Sequence, residues 1–152
     1  MALRNDNLKA AIKELLNRQS LAVLATNAGS SPYTSLVGFL VSQDLKEIYF
    51  ATLTNTHKYH NIIQNRQISL LIDSRTNKDN DFQDASAITI LGSAAAISGT
   101  KLPMIKSVYL NKFSYLRDFI NNSQCAVVRV AVSKYILVQN FKEAYEIIGE
   151  DL

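Results

Sequence analysis

Residues 21–58 read "LAVLATNAGSSPYTSLVGFLVSQDLKEIYFATLTNTHK", and how this run is divided decides the fold. "SLAVLATN" and "YTSLVGFLVS" are apolar runs rich in β-formers, separated by the turn chemistry of "AGSSP". A hairpin is the simplest connection. "QDLK" makes a second turn, and "EIYFAT" sets Ile48 and Phe50 against Glu47 and Tyr49, the alternation of a strand with one wet face. Three consecutive antiparallel strands follow from this reading. The third then ends in threonines, an asparagine and a lysine before "KYHNIIQNRQ", which predicts two to three helical turns with Tyr59, Ile62 and Ile63 on one side.

Working outward, "NDNLKAAIKELLNRQ" places Leu8, Ile12, Leu15 and Leu16 on one helical face, with Asn5 or Asp6 available as N-cap. "ISLLIDS" predicts a fourth strand, and the polar residues 75–84 a mobile loop whose acid spacing lacks the glycine and final glutamate of an EF-hand. "SAITILGSAAAIS" predicts a fifth strand, with Gly92 marking a bulge or a close backbone approach. Pro103 fits the first turn of a long or kinked helix running to about Asn121. "CAVVRVAVSKYILVQ" predicts two strands or one bent strand, and "FKEAYEIIG" a short closing helix ending at Gly149. The sum is a mainly β chain, one domain over residues 1–152. Its six or seven antiparallel strands form a barrel with helices outside, since closure removes exposed sheet edges.

The composition agrees. The chain has 152 residues, 47% of them hydrophobic and 19% charged, enough for one buried core. Its net charge of +3 is dispersed, with no basic stripe interleaved with aromatics, so nucleic acid is not the expected partner. Cys125 is a lone cysteine in an apolar run, expected as a small core residue. No run has the length of a membrane span, and the first residues lack the apolar region of a signal peptide, so the expected location is cytoplasmic.

The threonine cluster carries the functional expectation. A strand running into a helix leaves the first helical amides pointing at one spot, where the macrodipole adds positive potential. Around that spot the sequence places Thr52, Thr54, Thr56, His57 and Lys58. Hydroxyl donors and an ammonium suit a phosphate. The plainer alternative makes Thr54 or Asn55 an ordinary N-cap and Lys58 a solvated residue. A lysine in the first turn opposes the dipole, however, and a bound anion accounts for it better.

The order from "LAVLATN" through "PYTSLVGFLVS", "EIYFAT", "TNTHKYHNI" and "ISLLID" to "AITILGSA", with its "T-x-K-x-x-N" element, resembles the FMN-binding split-barrel family related to pyridoxamine 5'-phosphate oxidase. The resemblance covers residues 10–97, and the C-terminal third agrees in general pattern. It implies that Thr52, Thr56, His57 and Lys58 surround the FMN phosphate, with Ala51 also among the cofactor-binding residues. Ser35, Leu36, Val37 and Gly38 would then lie along the isoalloxazine ring and offer backbone groups to its edge. It also implies a homodimer with the flavin between subunits, the partner supplying the remaining wall. Ser35 and His57 stand where the oxidase has arginines, Ala87 where it has a glutamine, and the chain has no tryptophan. A related protein, and not the oxidase itself, is expected.

The resemblance implies an FMN-dependent oxidoreductase that transfers hydride through flavin N5 to or from an unidentified small molecule, with no catalytic acid or base named. The alternatives are a non-enzymatic flavin-binding or sensor dimer, a haem-binding relative, or a deazaflavin-binding one. Haem needs an axial ligand, and His57 and His60 both sit beside the phosphate helix. No metal site is expected, because one cysteine and two histidines do not complete a tetrahedral set. No "G-x-S-x-G" elbow for a hydrolase occurs.

Overall fold

The computed structural model describes residues 2–29 and 31–152. Ser30, within the expected "AGSSP" turn, and Met1 lie outside the described residues. Helix α1 spans Ala2–Arg18, and the strands are β1 Leu21–Thr26, β2 Tyr33–Val41, β3 Glu47–Leu53, β4 Gln67–Asp73, β5 Ser86–Ala96, β6 Cys125–Gln139 and β7 Glu143–Ile148. Between them lie α2 His57–Gln64, α3 Asp81–Asp84, α4 Lys101–Lys112 and α5 Arg117–Ile120, with a 3-10 turn joining the last two. The strands run in the order β3-β2-β1-β4-β5-β6-β7, and β3 also pairs with β6. Six antiparallel strands therefore close into a barrel, and β7 is an extension outside the closure.

β6 is one bent strand. Its first half pairs β3 from Cys125 to Ala131, and its second half pairs β7 from Lys134 to Gln139. The bend coincides with a register shift against β5 at Leu91/Gly92, which leaves Ser133 as the extra residue. Gly92 is required there, because a Cβ would lie 2.6 Å from the Ala131 carbonyl oxygen.

The closing helix expected at "FKEAYEIIG" is instead β7. Beyond Ala131, β6 has lost β3 as a neighbour and offers an open edge. The short run 143–148 is compatible with either period, and pairing with that edge decides it, with Ile147 turned into the core. Three smaller expectations are also corrected. α1 starts at Ala2, so Asn5 and Asp6 lie inside the helix and cap nothing. On α2 the buried residues are Asn61 and Ile62, while Ile63 is 64% exposed. Residues 75–84 contain the single turn of α3, where the Asp81 carboxylate accepts from the Thr76 and Asn77 amides.

Two cores result. The barrel interior holds Leu24, Val37, Phe39, Ile48, Phe50, Leu70, Ile90 and Val130, and Ile12, Leu15 and Leu16 of α1 close one end of it. A second core lies outside, where Ile105 and Tyr109 of α4, Phe113 just after that helix and Ile120 of α5 cover Leu40, Tyr49, Ala51 and Val127. β3 is thus buried on both faces and has no wet side: Tyr49, expected in solvent, sits under α4. Cys125 is only half-buried at the margin of this core.

The rest of the outer wall is open. One row of outward positions runs Leu36, Val23, Leu71, Thr89, Ile136 across five strands without a charge. Leu36 is 65% exposed and Leu71 38%. Among the described residues no helix is long and apolar enough to cross a membrane.

Candidate functional site

β3 runs out of the barrel into α2 through "LTNT". Thr56, and not Thr54 or Asn55, is the N-cap: its backbone is extended and its hydroxyl accepts from the Tyr59 amide at 3.4 Å. That hydroxyl also donates to the Leu53 carbonyl at 2.8 Å and sits 3.1 Å from the Thr52 hydroxyl. Thr52 is 2% exposed, so its role is to hold the cap from beneath. The cap serves the third helical amide, leaving those of His57 and Lys58 without intrahelical acceptors. The first turn of α2 carries no acid to complement its dipole. Asn61, one turn on, is buried and donates to the Thr26 hydroxyl at 3.0 Å, tying the helix to β1.

β2 and β3 part at this end of the barrel. Their ladder covers Phe39↔Phe50, Leu40↔Tyr49 and Val41↔Ile48 and then stops, although each strand continues, β2 along β1 and β3 along β6. A cleft of about 220 Å³ occupies the gap. It brings together Leu36, Val37, Gly38, Ala51, Thr52, Thr56 and Lys58, seven of the nine residues named from sequence. Leu53 completes this wall, and Tyr109, Leu116 and Phe119 form the opposite one.

The other two residues lie differently. Ser35 is not in the cleft lining: its side chain is on the same side of β2 as Val37 and Phe39, and its buried hydroxyl has no hydrogen-bond partner among the described residues. His57 is exposed at the rim, stacked on Tyr33 with ring centroids 4.4 Å apart and planes 13° from parallel. The three residues of the opposite wall were not anticipated from sequence. They come from the C-terminal third, and their helical spacing signals packing without saying against which strand.

Tyr109 is 1% exposed, and burial pushes its phenol up to about 12, so it is protonated at neutral pH. At the far side of the second core, burial alone would raise the Glu47 carboxyl. Bonds from Tyr49, Lys101 and Arg129 outweigh burial and bring it below its ordinary value. This cluster fastens the start of α4 to β3 and β6. Among the described residues no group of three or more His, Cys, Asp or Glu is placed to hold a metal.

A sequence model of the family described as pyridoxamine 5'-phosphate oxidase matches residues 8–139. The chain belongs to that family. It is a related member and not the oxidase itself. Among curated proteins none matches it in sequence. Among solved structures, it is similar to a haem-binding protein from Mycobacterium smegmatis, with TM-score 0.79 and 16% identity over 90% of this chain. The chain spans 56% of that protein's length. It is also similar to HutZ, the haem storage protein from Vibrio cholerae, with TM-score 0.72 and 16% identity, covering 93% of this chain and 94% of that one. A third is a putative pyridoxamine 5'-phosphate oxidase from Listeria innocua, with TM-score 0.67 and 15% identity, covering 86% of this chain and 98% of that one. At these identities the likeness is one of fold.

Proposed function

We propose that the protein binds FMN in the cleft between β2 and β3 and acts as an FMN-dependent oxidoreductase on a small molecule. The observation that carries this reading is the meeting, in one cleft, of a helix start with a lysine and a strand edge without its neighbour. Thr56, Lys58 and the first amides of α2 suit the phosphate, with Thr52 supporting the cap from beneath and His57 at the rim. Leu36, Val37 and Gly38 suit the ring, with Ala51 on the floor and Ser35 contributing through its backbone. The flavin, when bound, exchanges hydride at N5, and this chain's residues bind it, orient it and keep water out.

The cleft is smaller than the roughly 300–1,000 Å³ of complete small-molecule sites, so a further wall is needed. The uncharged open row that begins at Leu36 borders the cleft and suits a second copy of the chain. The reading is therefore a homodimer with the flavin at the subunit interface, located in the cytoplasm.

The names of two structural relatives raise haem as the competing ligand. Haem needs an axial ligand, and neither His57 nor His60 lines the cleft. The test is the visible spectrum of purified protein, with mass identification of whatever heat releases. A two-band yellow spectrum and released FMN are expected. A Soret band would establish haem instead, and a released deazaflavin would replace FMN in the same cleft. Colourless protein that takes up no added FMN would sink the reading. Flavin that is held but never reduced by any donor would leave a flavin-binding or sensor dimer without turnover.

A further inference from the structure

We infer that Phe141, at the tip of the β6–β7 turn, closes the flavin cleft of a second copy of the chain, and that the hollow beside it receives Leu36 of that copy. This rests on the flavin and dimer readings above and names the residues that a partner subunit brings to the site.

The turn supplies the first observation. It is closed by the Lys142 amide donating to the Gln139 carbonyl at 3.1 Å, and both central residues are left-handed, Asn140 at φ 53° and Phe141 at φ 55°. Such turns favour asparagine followed by glycine, because both positions need a positive φ. Asn140 conforms and Phe141 does not: a bulky side chain in this region is an outlier that lowers stability relative to glycine. Burial does not offset that cost. Phe141 is 63% exposed, and the ring it packs on, Phe82 of α3, is 69% exposed, with centroids 5.4 Å apart. Strain kept for an exposed aromatic ring points to a role outside the chain's own core.

Phe141 borders a hollow of about 200 Å³ whose apolar lining includes Leu71, Ala87 and Val138, with the paired Asp73 and Arg75 also at its edge. Ala87 and Val138 are register partners, one step along the same face from Thr89 and Ile136. The hollow therefore adjoins one end of the open row, and Leu36, which is 65% exposed and lines the cleft, stands at the other. Leu71 is the row's middle member.

A face with a projecting leucine at one end and a hollow at the other is self-complementary under a two-fold axis, which makes every contact twice. An axis parallel to the strands through Leu71 lays β2 of one copy on β6 of the other and sets each Leu36 at the other copy's hollow. An axis across the strands would set cleft against cleft and leave both Phe141 rings in water, with their strain unanswered. In the first arrangement the partner subunit's Phe141 comes beside Leu36 and so over the cleft, where a flat aromatic ring suits the open face of an isoalloxazine.

The experiment pairs Phe141→Gly with Lys58→Ala. Phe141→Gly removes both the ring and the strain, so its urea midpoint is expected to equal or exceed that of wild type while FMN binding weakens about tenfold. A lower midpoint, or unchanged affinity, makes the ring a packing residue and overturns the proposal. The two variants are then co-expressed with different affinity tags, and the species carrying both tags is purified. One of its two sites combines Lys58 of one chain with Phe141 of the other and is expected to bind FMN as wild type does. A doubly tagged dimer with no such site, or no doubly tagged species at all, overturns the proposal.

Wild type that takes up no FMN defeats the flavin reading, and a cross-link then judges the arrangement alone. In a Cys125→Ala background, Leu36→Cys combined with Ala87→Cys is expected to give a covalent dimer with oxidised glutathione, and neither cysteine by itself. No cross-link, or one formed by Leu36→Cys alone, overturns the arrangement.

Discussion

The outer wall of the barrel has two halves that have met the same problem differently. Over β2, β3 and the first half of β6, the apolar outward residues Leu40, Tyr49, Ala51 and Val127 are buried by α4 and α5 of the same chain. Over the first half of β2, β1, β4, β5 and the second half of β6, the row from Leu36 to Ile136 is equally free of charge but open. An apolar sheet face has to be removed from water, and the first half achieves this within the chain. The contrast teaches that the open half is built like an interior, and the cleft lies on the line between the two halves.

The largest effect that separates the halves comes from Phe113→Ala, which empties a fully packed position under α4. It should cost about 3–5 kcal/mol of stability by urea denaturation. A cost below about 1 kcal/mol would mean that α4 is not what completes that half. On the boundary, Lys58→Ala should weaken FMN binding by roughly 30-fold, corresponding to a charge-assisted bond of about 2 kcal/mol, and leave the unfolding midpoint in place. Unchanged affinity would remove the phosphate assignment.

On the open half, Leu71→Lys puts a charge in the middle of the uncovered row. Sedimentation should show the expected dimer becoming a monomer, with each monomer's stability within about 0.5 kcal/mol of wild type, as for an exposed surface change. A dimer that survives would place the interface elsewhere.

The smallest effect concerns the cluster that pins α4. The folded carboxyl of Glu47 lies below its ordinary value, so its contribution is fully present above the unfolded value of about 4.3 and is lost as pH falls through the folded value. Stability curves of wild type and Glu47→Gln should therefore differ at neutral pH by less than about 1 kcal/mol, as for a partly exposed ion pair, and converge in acid. Parallel curves would exclude the ion pairs as the fastening.

Local pattern was enough where a residue's neighbours in sequence are also its determinants. The hairpin order from Leu21 to Leu53, the Gly92 irregularity and the strand-to-helix junction at Lys58 were all legible, because turn chemistry, β-branching and two-residue alternation act within a few residues. The wet face assigned to β3 was not: alternation at Glu47 and Tyr49 reports one polar residue and one amphipathic one, and a helix sixty residues later covers the tyrosine. β7 failed for the same reason, since the open edge that recruits it belongs to another strand. At the cleft, the lysine and threonines could be picked out one by one. Tyr109, Leu116 and Phe119 could not, as helical spacing does not name the surface a helix lands on.

By itself, then, the sequence determined the strand regions up to Gln139, their turns, the helix junction and the family to which the chain belongs, all consequences of short-range backbone preference and side-chain order. The tertiary structure alone decided which half of the wall is covered, where the β2–β3 ladder ends, and that Tyr109, Leu116 and Phe119 form the cleft's other wall. Those are contacts between residues far apart in the chain, whose energy depends on a three-dimensional register that no local pattern contains.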